Sequence, residues 1–310
     1  MDDPDLVFAR SRLYALLARG VLEGPTDALG ADVAGLPALA AAWPEGDADA
    51  RAAAHHRVLG MQVFPYESVF LGDGQLGGPV AAAVVEAYRA SGLPGWPTDV
   101  EADHIGIALR NLAWLSAAEA DALKDARPEA VARVRVATRA FLDEHLLRWL
   151  APLVVAVEGT RSAWHATVVQ MALELATGHR EGLGGAAPAW DLPNPGDPLE
   201  DPETGLKRIA AWLLAPARAG WLVTAGVIDR WATASGVPRG FGRRLQTLES
   251  LLFGAADHQR FGVLVQTMRS DVEVVDARYE ALGTAGAAVG PWRRRLAATR
   301  RLLDRLARPS

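Results

Sequence analysis

The spacing of apolar residues along this chain is helical almost throughout. Near the N-terminus Leu6, Ala9, Leu13 and Leu17 recur at intervals of three and four, which places them on one face of a helix. Strict alternation of apolar and polar residues, the pattern of a half-buried strand, is rare. The pattern therefore predicts an all-α fold, a helical bundle whose first helix covers about residues 4–22.

Helix-breaking residues divide the rest of the chain into further predicted helices. Pro65 interrupts the second helix, a glycine-rich loop covers 71–79, and Gly92 ends the helix that follows. Pro128 opens a long helix, since proline is tolerated in a first helical turn. After the first helix, the predicted helical ranges are 47–63, 80–90, 103–115, 128–158, 162–178, 205–215, 225–235, 239–253, 257–280 and 289–307.

One segment lacks the helical pattern over a long stretch. Residues 181–205 are rich in Gly, Pro and Asp and contain almost no apolar run. We expect this segment to be a linker between a core of residues 1–180 and a helical C-terminal extension of residues 206–310. The extension should either pack on the core or form a subdomain of its own.

Composition and charge exclude several classes of site. The chain has no cysteine, so disulfides, thiolate zinc sites and thiol catalysis are excluded. Residues 1–180 hold 15 Arg and Lys against 23 Asp and Glu, whereas residues 181–310 hold 17 against 14. The front half therefore carries a net charge of −8, which favours basic partners over nucleic acid.

The N-terminus predicts that the protein stays in the cytoplasm. It begins Met1-Asp2-Asp3-Pro4-Asp5, whereas a secretory signal peptide has a basic start followed by an apolar run. The apolar stretch 150–157 is much shorter than the ~20 residues of a membrane-spanning helix. We therefore expect a cytoplasmic protein without a membrane span.

Four motifs carry a resemblance to a known family. They are Pro-Tyr-Glu-Ser-Val-Phe-Leu at 65–71, a helix with Tyr88 that ends at Gly92, Asp-His-Ile-Gly at 103–106, and Phe-x-x-x-His-Leu-x-x-Trp at 141–149. In this order and spacing they resemble the TorD/DmsD/NarJ family of redox-enzyme maturation chaperones. The resemblance covers about residues 8–180 and leaves the extension without a role.

The resemblance implies a function. Members of this family bind the twin-arginine signal peptide of a molybdenum-containing oxidoreductase and delay its export until the cofactor is in place. The resemblance thus implies a chaperone that is not an enzyme, has no cofactor, and has a hinge near 99–106 between two helical halves. Its partners would be the signal peptide and the apo form of a molybdopterin-dependent oxidoreductase.

The residues of 64–104 fit a receptor for such a peptide. Carboxylates suit the arginines because they accept paired, charge-assisted hydrogen bonds from a guanidinium group. Aromatic side chains suit the apolar part of the peptide. The segment offers the carboxylates Glu67, Asp73, Asp99, Glu101 and Asp103 and the aromatic residues Phe64, Tyr66, Phe70, Tyr88 and Trp96. The candidate peptide-binding residues are Tyr66, Glu67, Ser68, Phe70, Tyr88, Gly92, Asp103 and His104.

Several of these residues also have a purely structural interpretation. Asp103 is a candidate N-cap for the helix that follows it. His104 can link two halves of the fold, Phe70 can be core, and Gly92 can be a helix C-cap. His145 and Trp149, four apart on a predicted helix, are expected to be core.

Other functions find less support in the sequence. No nucleotide-binding motif and no metal-ligand spacing of histidines is present, and His55-His56 is a poor metal pair because adjacent rings on a helix face apart. Two alternatives stay open: an assembly factor for a redox-enzyme subunit without a signal peptide, and a nucleotide hydrolase with Asp103 and His104 as an acid–base pair.

The last predicted helix is unusually basic. Residues 286–310 hold seven arginines and one acid, Asp304, together with leucines on one side. These arginines form either a solvated face or a surface for an acidic patch of the client enzyme or of the front half of the chain. Nucleic-acid binding is disfavoured because aromatic residues do not alternate with the arginines.

Overall fold

The computed structural model describes residues 3–97, 99–186, 190–201, 203–283 and 286–307. Within these ranges the chain is helical and contains no strand apart from one isolated β-bridge, which confirms the predicted all-α class. Contacts divide the chain into two units, which are described separately. The first contains Met1–Ser68 and Gln75–Ala189, and the second contains Val69–Gly74 and Trp190–Ser310.

The helices that precede the boundary between residues 189 and 190 follow one another closely along the chain. They are α1 (Pro4–Leu22), α2 (Asp27–Val33), α3 (Pro37–Ala41), α4 (Ala48–His55) with a π-helical turn (His56–Gln62), α5 (Glu67–Leu71), α6 (Gly78–Ser91), α7 (Ile105–Lys124), α8 (Pro128–Phe141) with a π-helical turn (Leu142–Leu146), α9 (Leu150–Glu158) and α10 (Ala163–Gly182).

The core of the first unit is the packing of α1 along α7, with α10 against α1 and α9 against α10. Helix α1 buries Val7, Tyr14, Leu17 and Val21, so the predicted face is wrong: of its members Leu17 is buried, whereas Leu6 and Ala9 are exposed. Gly106, in the first turn of α7, lies so close to α1 that a Cβ atom there would come within 2.4 Å of the Leu22 side chain. A residue without a side chain is thus required where the two helices approach.

The predicted long helix over 128–158 is wrong in one respect, because the structure interrupts it. The chain leaves α8 through the π-helical turn, and α9 begins at Leu150. Pro152 explains the interruption. A proline inside a continuous helix would lack the hydrogen bond to the carbonyl of Arg148 and would collide with it, whereas a proline in a first turn does neither.

The second unit contains six further helices. They are α11 (Leu206–Leu214), α12 (Pro216–Ala219), α13 (Ala225–Ser235), α14 (Arg244–Asp257), α15 (Phe261–Ala281) and α16 (Gly286–Leu306). Trp231, Trp292 and Tyr279 are fully buried in it. Gly220, at φ 85°, lets the end of α12 touch α16, since a Cβ atom would come within 2.3 Å of the Leu296 nitrogen.

Arginines of α16 bind groups within the second unit. Arg293 binds Asp276 and Glu280 of α15 at 2.7 and 2.6 Å, and Arg300 also reaches Asp276. Three others hold the segment 190–201: Arg294 pairs with Asp191 at 3.1 Å, Arg295 donates to the Leu192 carbonyl, and Arg305 pairs with Asp197. Arg308 lies outside the described residues. The predicted basic face is therefore largely occupied by acids and carbonyl groups of the same unit.

Residues 69–74 belong to the second unit although they continue α5. Asp73 pairs with Arg218 at 2.8 Å. Gly74, at φ 80°, lies against the turn between α11 and α12, where a Cβ atom would come within 2.9 Å of the Leu214 oxygen. Asp73, one of the carboxylates expected near the peptide, is thus engaged by an arginine of the extension.

Candidate peptide-binding site

Two of the sequence motifs meet through their backbones. The Glu67 amide donates to the Asp103 carbonyl at 3.0 Å, and the Ile105 amide donates to the Pro65 carbonyl at 2.9 Å. Tyr66 and His104 thereby form an isolated antiparallel bridge, with their rings edge to face at 4.9 Å. The Pro-Tyr-Glu-Ser segment is fixed in this way to the start of α7.

Asp103 is fully buried and does not cap the helix that follows it. The N-cap of α7 is His104, whose Nδ1 accepts the Gly106 amide at 3.0 Å. The Asp103 carboxylate instead accepts the Ser68 amide at 2.8 Å through Oδ2, which caps α5 from another part of the chain. Its second oxygen, Oδ1, is buried without a hydrogen-bond partner among the described residues. The expected capping of α7 by Asp103 is therefore wrong.

His104 is neutral in this environment. Burial, with a smaller contribution from His55, lowers its pKa to about 3. Because Nδ1 accepts the Gly106 amide, the ring proton is on Nε2. His104 thus connects the motif segment and α7 as an uncharged group.

Glu67 is buried beside His145. Its Oε1 lies 3.3 Å from His145 Nδ1, and burial raises its pKa to about 7, although His145 and Arg148 favour the charged form. His145 is directed towards Glu67 from the π-helical turn 142–146, a type of turn that is frequent at functional sites. The carboxyl group is therefore close to half ionised at neutral pH.

Tyr88 of α6 completes the buried cluster. Its ring packs against Trp96 and Phe141 at centroid distances of 5.4 and 5.7 Å. Its hydroxyl group is buried and has no hydrogen-bond partner among the described residues. Burial and the negative charges of Glu67 and Asp103 raise its pKa well above the usual value, so the hydroxyl stays protonated.

The structure brings six of the eight predicted site residues into this cluster. Tyr66 is half-buried, and burial together with Asp103, Glu101 and Asp99 raises its pKa. The six are Tyr66, Glu67, Ser68, Tyr88, Asp103 and His104. They offer two carboxylates, two phenols and a neutral imidazole within an aromatic wall, which is a suitable environment for a cation with several N–H donors.

The other two predicted residues have a different position or role. Gly92 has φ 70° and ends α6, where the Leu93 amide donates to the Tyr88 carbonyl at 3.1 Å. Phe70 is fully buried and belongs to the segment 69–74 of the second unit. The C-cap interpretation of Gly92 and the burial expected of a core Phe70 agree with the structure.

Other candidate chemistry is weaker in the described residues. They contain no group of three or more side chains suited to a metal ion, and no described helix is long and apolar enough to cross a membrane. His55 does not pair with His56; its Nδ1 lies 2.9 Å from His165 Nε2, and the two rings stack.

A comparison with family models identifies the segment that contains the cluster. Residues 26–155 match the model described as nitrate reductase delta subunit. This match supports the assignment of residues 26–155 to the family. Neither a curated protein nor a solved structure matches the chain significantly.

The delta-subunit family consists of maturation chaperones for redox enzymes, the group to which NarJ and TorD belong. All of the predicted site residues, and His145, lie inside the matched segment. Residues 156–310, which include the extension, lie outside it, so the match assigns no role to α11–α16.

Sequence reasoning missed His145 as a site residue. It was expected to be core because it stands four residues before Trp149 on what looked like a regular helix. The π-helical turn changes the direction of the ring and places it beside Glu67. Its place in the Phe-x-x-x-His-Leu-x-x-Trp motif, inside the segment that matches the family, was the available signal.

Proposed function

We propose that this protein is a cytoplasmic chaperone that binds the twin-arginine signal peptide, and the apo form, of a molybdopterin-dependent oxidoreductase. It would coordinate cofactor insertion with export and would catalyse no reaction itself. The observation that carries the proposal is the buried cluster around Asp103 and Glu67. There, the Asp103 Oδ1 atom and the Tyr88 hydroxyl have no partner among the described residues.

A buried polar atom without a hydrogen-bond partner destabilises the protein by about 1–3 kcal/mol. A ligand that donates hydrogen bonds to such atoms recovers this free energy on binding. A guanidinium group has five N–H donors in a plane and can donate paired hydrogen bonds to a carboxylate such as that of Asp103. An ammonium group is a compact point charge and cannot present the same fork. The cluster should therefore prefer arginine to lysine.

The surroundings of the cluster support a peptide ligand. Asp99 and Glu101 are exposed beside Tyr66, where their charge attracts a cationic peptide before it docks. Trp96 is half-buried against Tyr88 and offers an apolar surface for the residues that follow the arginines. His104 bridges to Tyr66 and so helps to join the two motif segments, and the Ser68 amide holds the Asp103 carboxylate.

The direct test is binding of a labelled twin-arginine signal peptide from a molybdoenzyme of the source organism, with a Lys-Lys peptide as control. Asp103→Asn keeps the size of the side chain and its ability to accept the Ser68 amide but removes the charge. We expect at least a tenfold loss of affinity. Asp121→Asn, an exposed acid on α7, makes the same change in net charge and should leave the affinity unchanged.

Equal binding of the Arg-Arg and Lys-Lys peptides, or equal effects of the two Asn substitutions, would show that the cluster is not the arginine site. Absence of binding to any such peptide, with retention of an apo-enzyme subunit that has no signal peptide, would favour the assembly-factor alternative. Phosphate release from GTP that is lost on His104→Ala would favour the hydrolase alternative.

A further inference from the structure

The second unit presents one aromatic side chain almost entirely to solvent. Phe241 is 98% exposed, whereas the other exposed large apolar residues of the described chain range from 40 to 63%. It lies in the loop between α13 and α14, which reads Val237-Pro-Arg-Gly-Phe-Gly-Arg-Arg. An aromatic ring without apolar neighbours breaks no contact of the monomer when it docks into a partner. Its whole apolar surface is then available for burial.

The loop around Phe241 is held in place rather than free. Gly240 has φ 72° and lies against α14, where a Cβ atom would meet the Ser250 side chain at 3.0 Å. Gly242 has φ 126°, and its Cβ atom would meet the Gln246 side chain at 2.4 Å. Arg239 pairs with Asp229 at 2.8 Å, and the Arg243 amide donates to Gln246 Oε1 at 2.9 Å. Both ends of the loop are thus fixed while its tip projects.

A preorganised loop with an aromatic tip is typical of an anchor residue at a protein interface. Ordering a mobile loop on binding would cost entropy, and this loop is already ordered. Anchor residues are commonly aromatic and insert into a pocket of the partner. Fixed glycine backbones on both sides would serve such docking, whereas insertion into a fluid bilayer requires no fixed geometry.

The charge around the tip indicates the kind of partner. Of the three arginines in residues 237–248, Arg239 pairs with Asp229 and Arg244 donates to the Val223 carbonyl, which leaves Arg243 beside the ring. Arg243 is exposed, and Leu245 adds a second partly exposed apolar side chain. One aromatic ring with few free arginines gives only marginal membrane binding, because stable anchoring needs two strong signals. An apolar pocket with an acidic rim on a protein satisfies both the ring and Arg243.

We infer that Phe241 and the exposed Arg243 form a second docking point that inserts into an acidic-rimmed apolar pocket on the folded part of the client enzyme. This inference rests on the proposed function, since it takes the client to be the enzyme whose signal peptide the first unit binds. Two weak binding sites on one chain raise the overall affinity, because binding at the first site makes binding at the second site intramolecular.

The test compares two probes on the full-length protein. One probe is the isolated signal peptide, and the other is the catalytic subunit of a molybdoenzyme of the source organism. A nitrate reductase is the first choice. This apo subunit is produced without its molybdenum cofactor and still carries its signal peptide. Phe241→Ser should weaken binding of the apo subunit at least tenfold and leave the affinity for the isolated peptide unchanged. Val274→Ser, at an exposed valine of α15, is the matched control and should change neither.

The outcomes separate this inference from the proposed function. If the wild-type protein binds the peptide and the apo subunit, but Phe241→Ser binds both equally well, the docking point is wrong and the proposed function stands. If the wild type binds neither the peptide nor the apo subunit, the proposed function fails and the docking point falls with it. Two further results would overturn the docking point. In one, the wild type sediments with vesicles of phosphatidylcholine and phosphatidylglycerol and Phe241→Ser does not, while the two bind the apo subunit equally. The other is loss of self-association in the same variant, also without an effect on the apo subunit.

Discussion

Glu67 and Asp103 are both buried carboxylates, but they are held differently. Asp103 accepts a backbone amide at 2.8 Å, whereas Glu67 has an imidazole nitrogen at 3.3 Å as its hydrogen-bonding neighbour. Burial raises the pKa of Glu67 to about 7. A side chain that is easily protonated in the free protein and must be charged to bind arginine couples binding to pH.

Replacing Glu67 by Gln should stabilise the free protein at alkaline pH. Because the folded-state pKa lies above the usual 4.5, the native state holds the Glu67 proton more tightly than the unfolded chain does between pH 4.5 and 7. The free energy of unfolding of the wild type therefore falls as the pH rises through this window. Relative to Glu67→Gln, the wild type should lose about 3 kcal/mol between pH 4.5 and 8.5, measured by urea denaturation.

The same variant should bind the signal peptide more weakly, since it lacks the carboxylate. A stability difference between wild type and Glu67→Gln that stays constant with pH would contradict the raised pKa. An unchanged peptide affinity would remove Glu67 from the site.

Gly106 and Gly178 provide a pair of helical glycines with opposite surroundings. A Cβ atom at Gly106 would collide with Leu22, whereas a Cβ atom at the exposed Gly178 of α10 would meet nothing within 4 Å. We expect Gly106→Ala to destabilise the protein by about 1–3 kcal/mol through overpacking. Gly178→Ala should be neutral or stabilising by up to about 1 kcal/mol, because alanine favours the helix. Thermal and urea denaturation of both variants would check this, and equal effects would contradict the close approach of α1 and α7.

At the scale of elements, the arginines of α16 join parts of the chain that the sequence pattern leaves separate. The segment 190–201 has no helix of its own, and Arg294, Arg295 and Arg305 bind its side chains and carbonyl groups. Individual exposed ion pairs contribute little, but several bonds to one short segment restrict its backbone. The basic character of α16 therefore has a structural role in its own unit.

Removing two of these contacts should release the segment 190–201. We expect the double variant Arg295→Gln, Arg305→Gln to be cleaved within 191–199 about tenfold faster by a protease of low specificity, because cleavage requires local opening. The control is Arg301→Gln, at an exposed arginine of the same helix. Mass spectrometry of the early fragments would locate the cut, and equal cleavage of the two variants would show that the arginines do not hold the segment.

At the scale of the molecule, the two units differ in their sensitivity to acid. His104, His165 and His179 are buried in the first unit, and burial, with smaller contributions from neighbouring charges, lowers the pKa of each to about 3. The second unit contains a single histidine, the exposed His258. The protonation of buried histidines on unfolding therefore destabilises the first unit.

The first unit should consequently unfold first when the pH is lowered. Below pH 6.5 the unfolded chain binds protons that the folded histidines exclude, so the free energy of unfolding falls between pH 6.5 and 3. The loss is up to about 1.4 kcal/mol per pH unit for each histidine. Hydrogen exchange followed by mass spectrometry at pH 4–5 should show early exposure of α1, α7 and α10. Simultaneous loss of protection in α13–α16 would indicate that the units unfold together.

Much of this molecule follows from its sequence. The 3–4 spacing of apolar residues determines the helices, because a helix buries one face whatever it packs against, and α1 and α13 agree with the predicted ranges. The order and spacing of four motifs identified the family, which the match over residues 26–155 confirms. Glycine at a helix end and proline at a helix start act locally, so Gly92 and Pro128 were correctly interpreted.

Only the tertiary structure decided which polar groups share a site. Asp103 stands where an N-cap is expected, yet it caps α5, 35 residues away, because the backbones of the two motifs pair. His145 joins Glu67 only because Pro152 prevents a continuous helix and the π-helical turn redirects the ring. Such contacts depend on how distant segments approach in space, and the apolar pattern records only which side of each helix is buried.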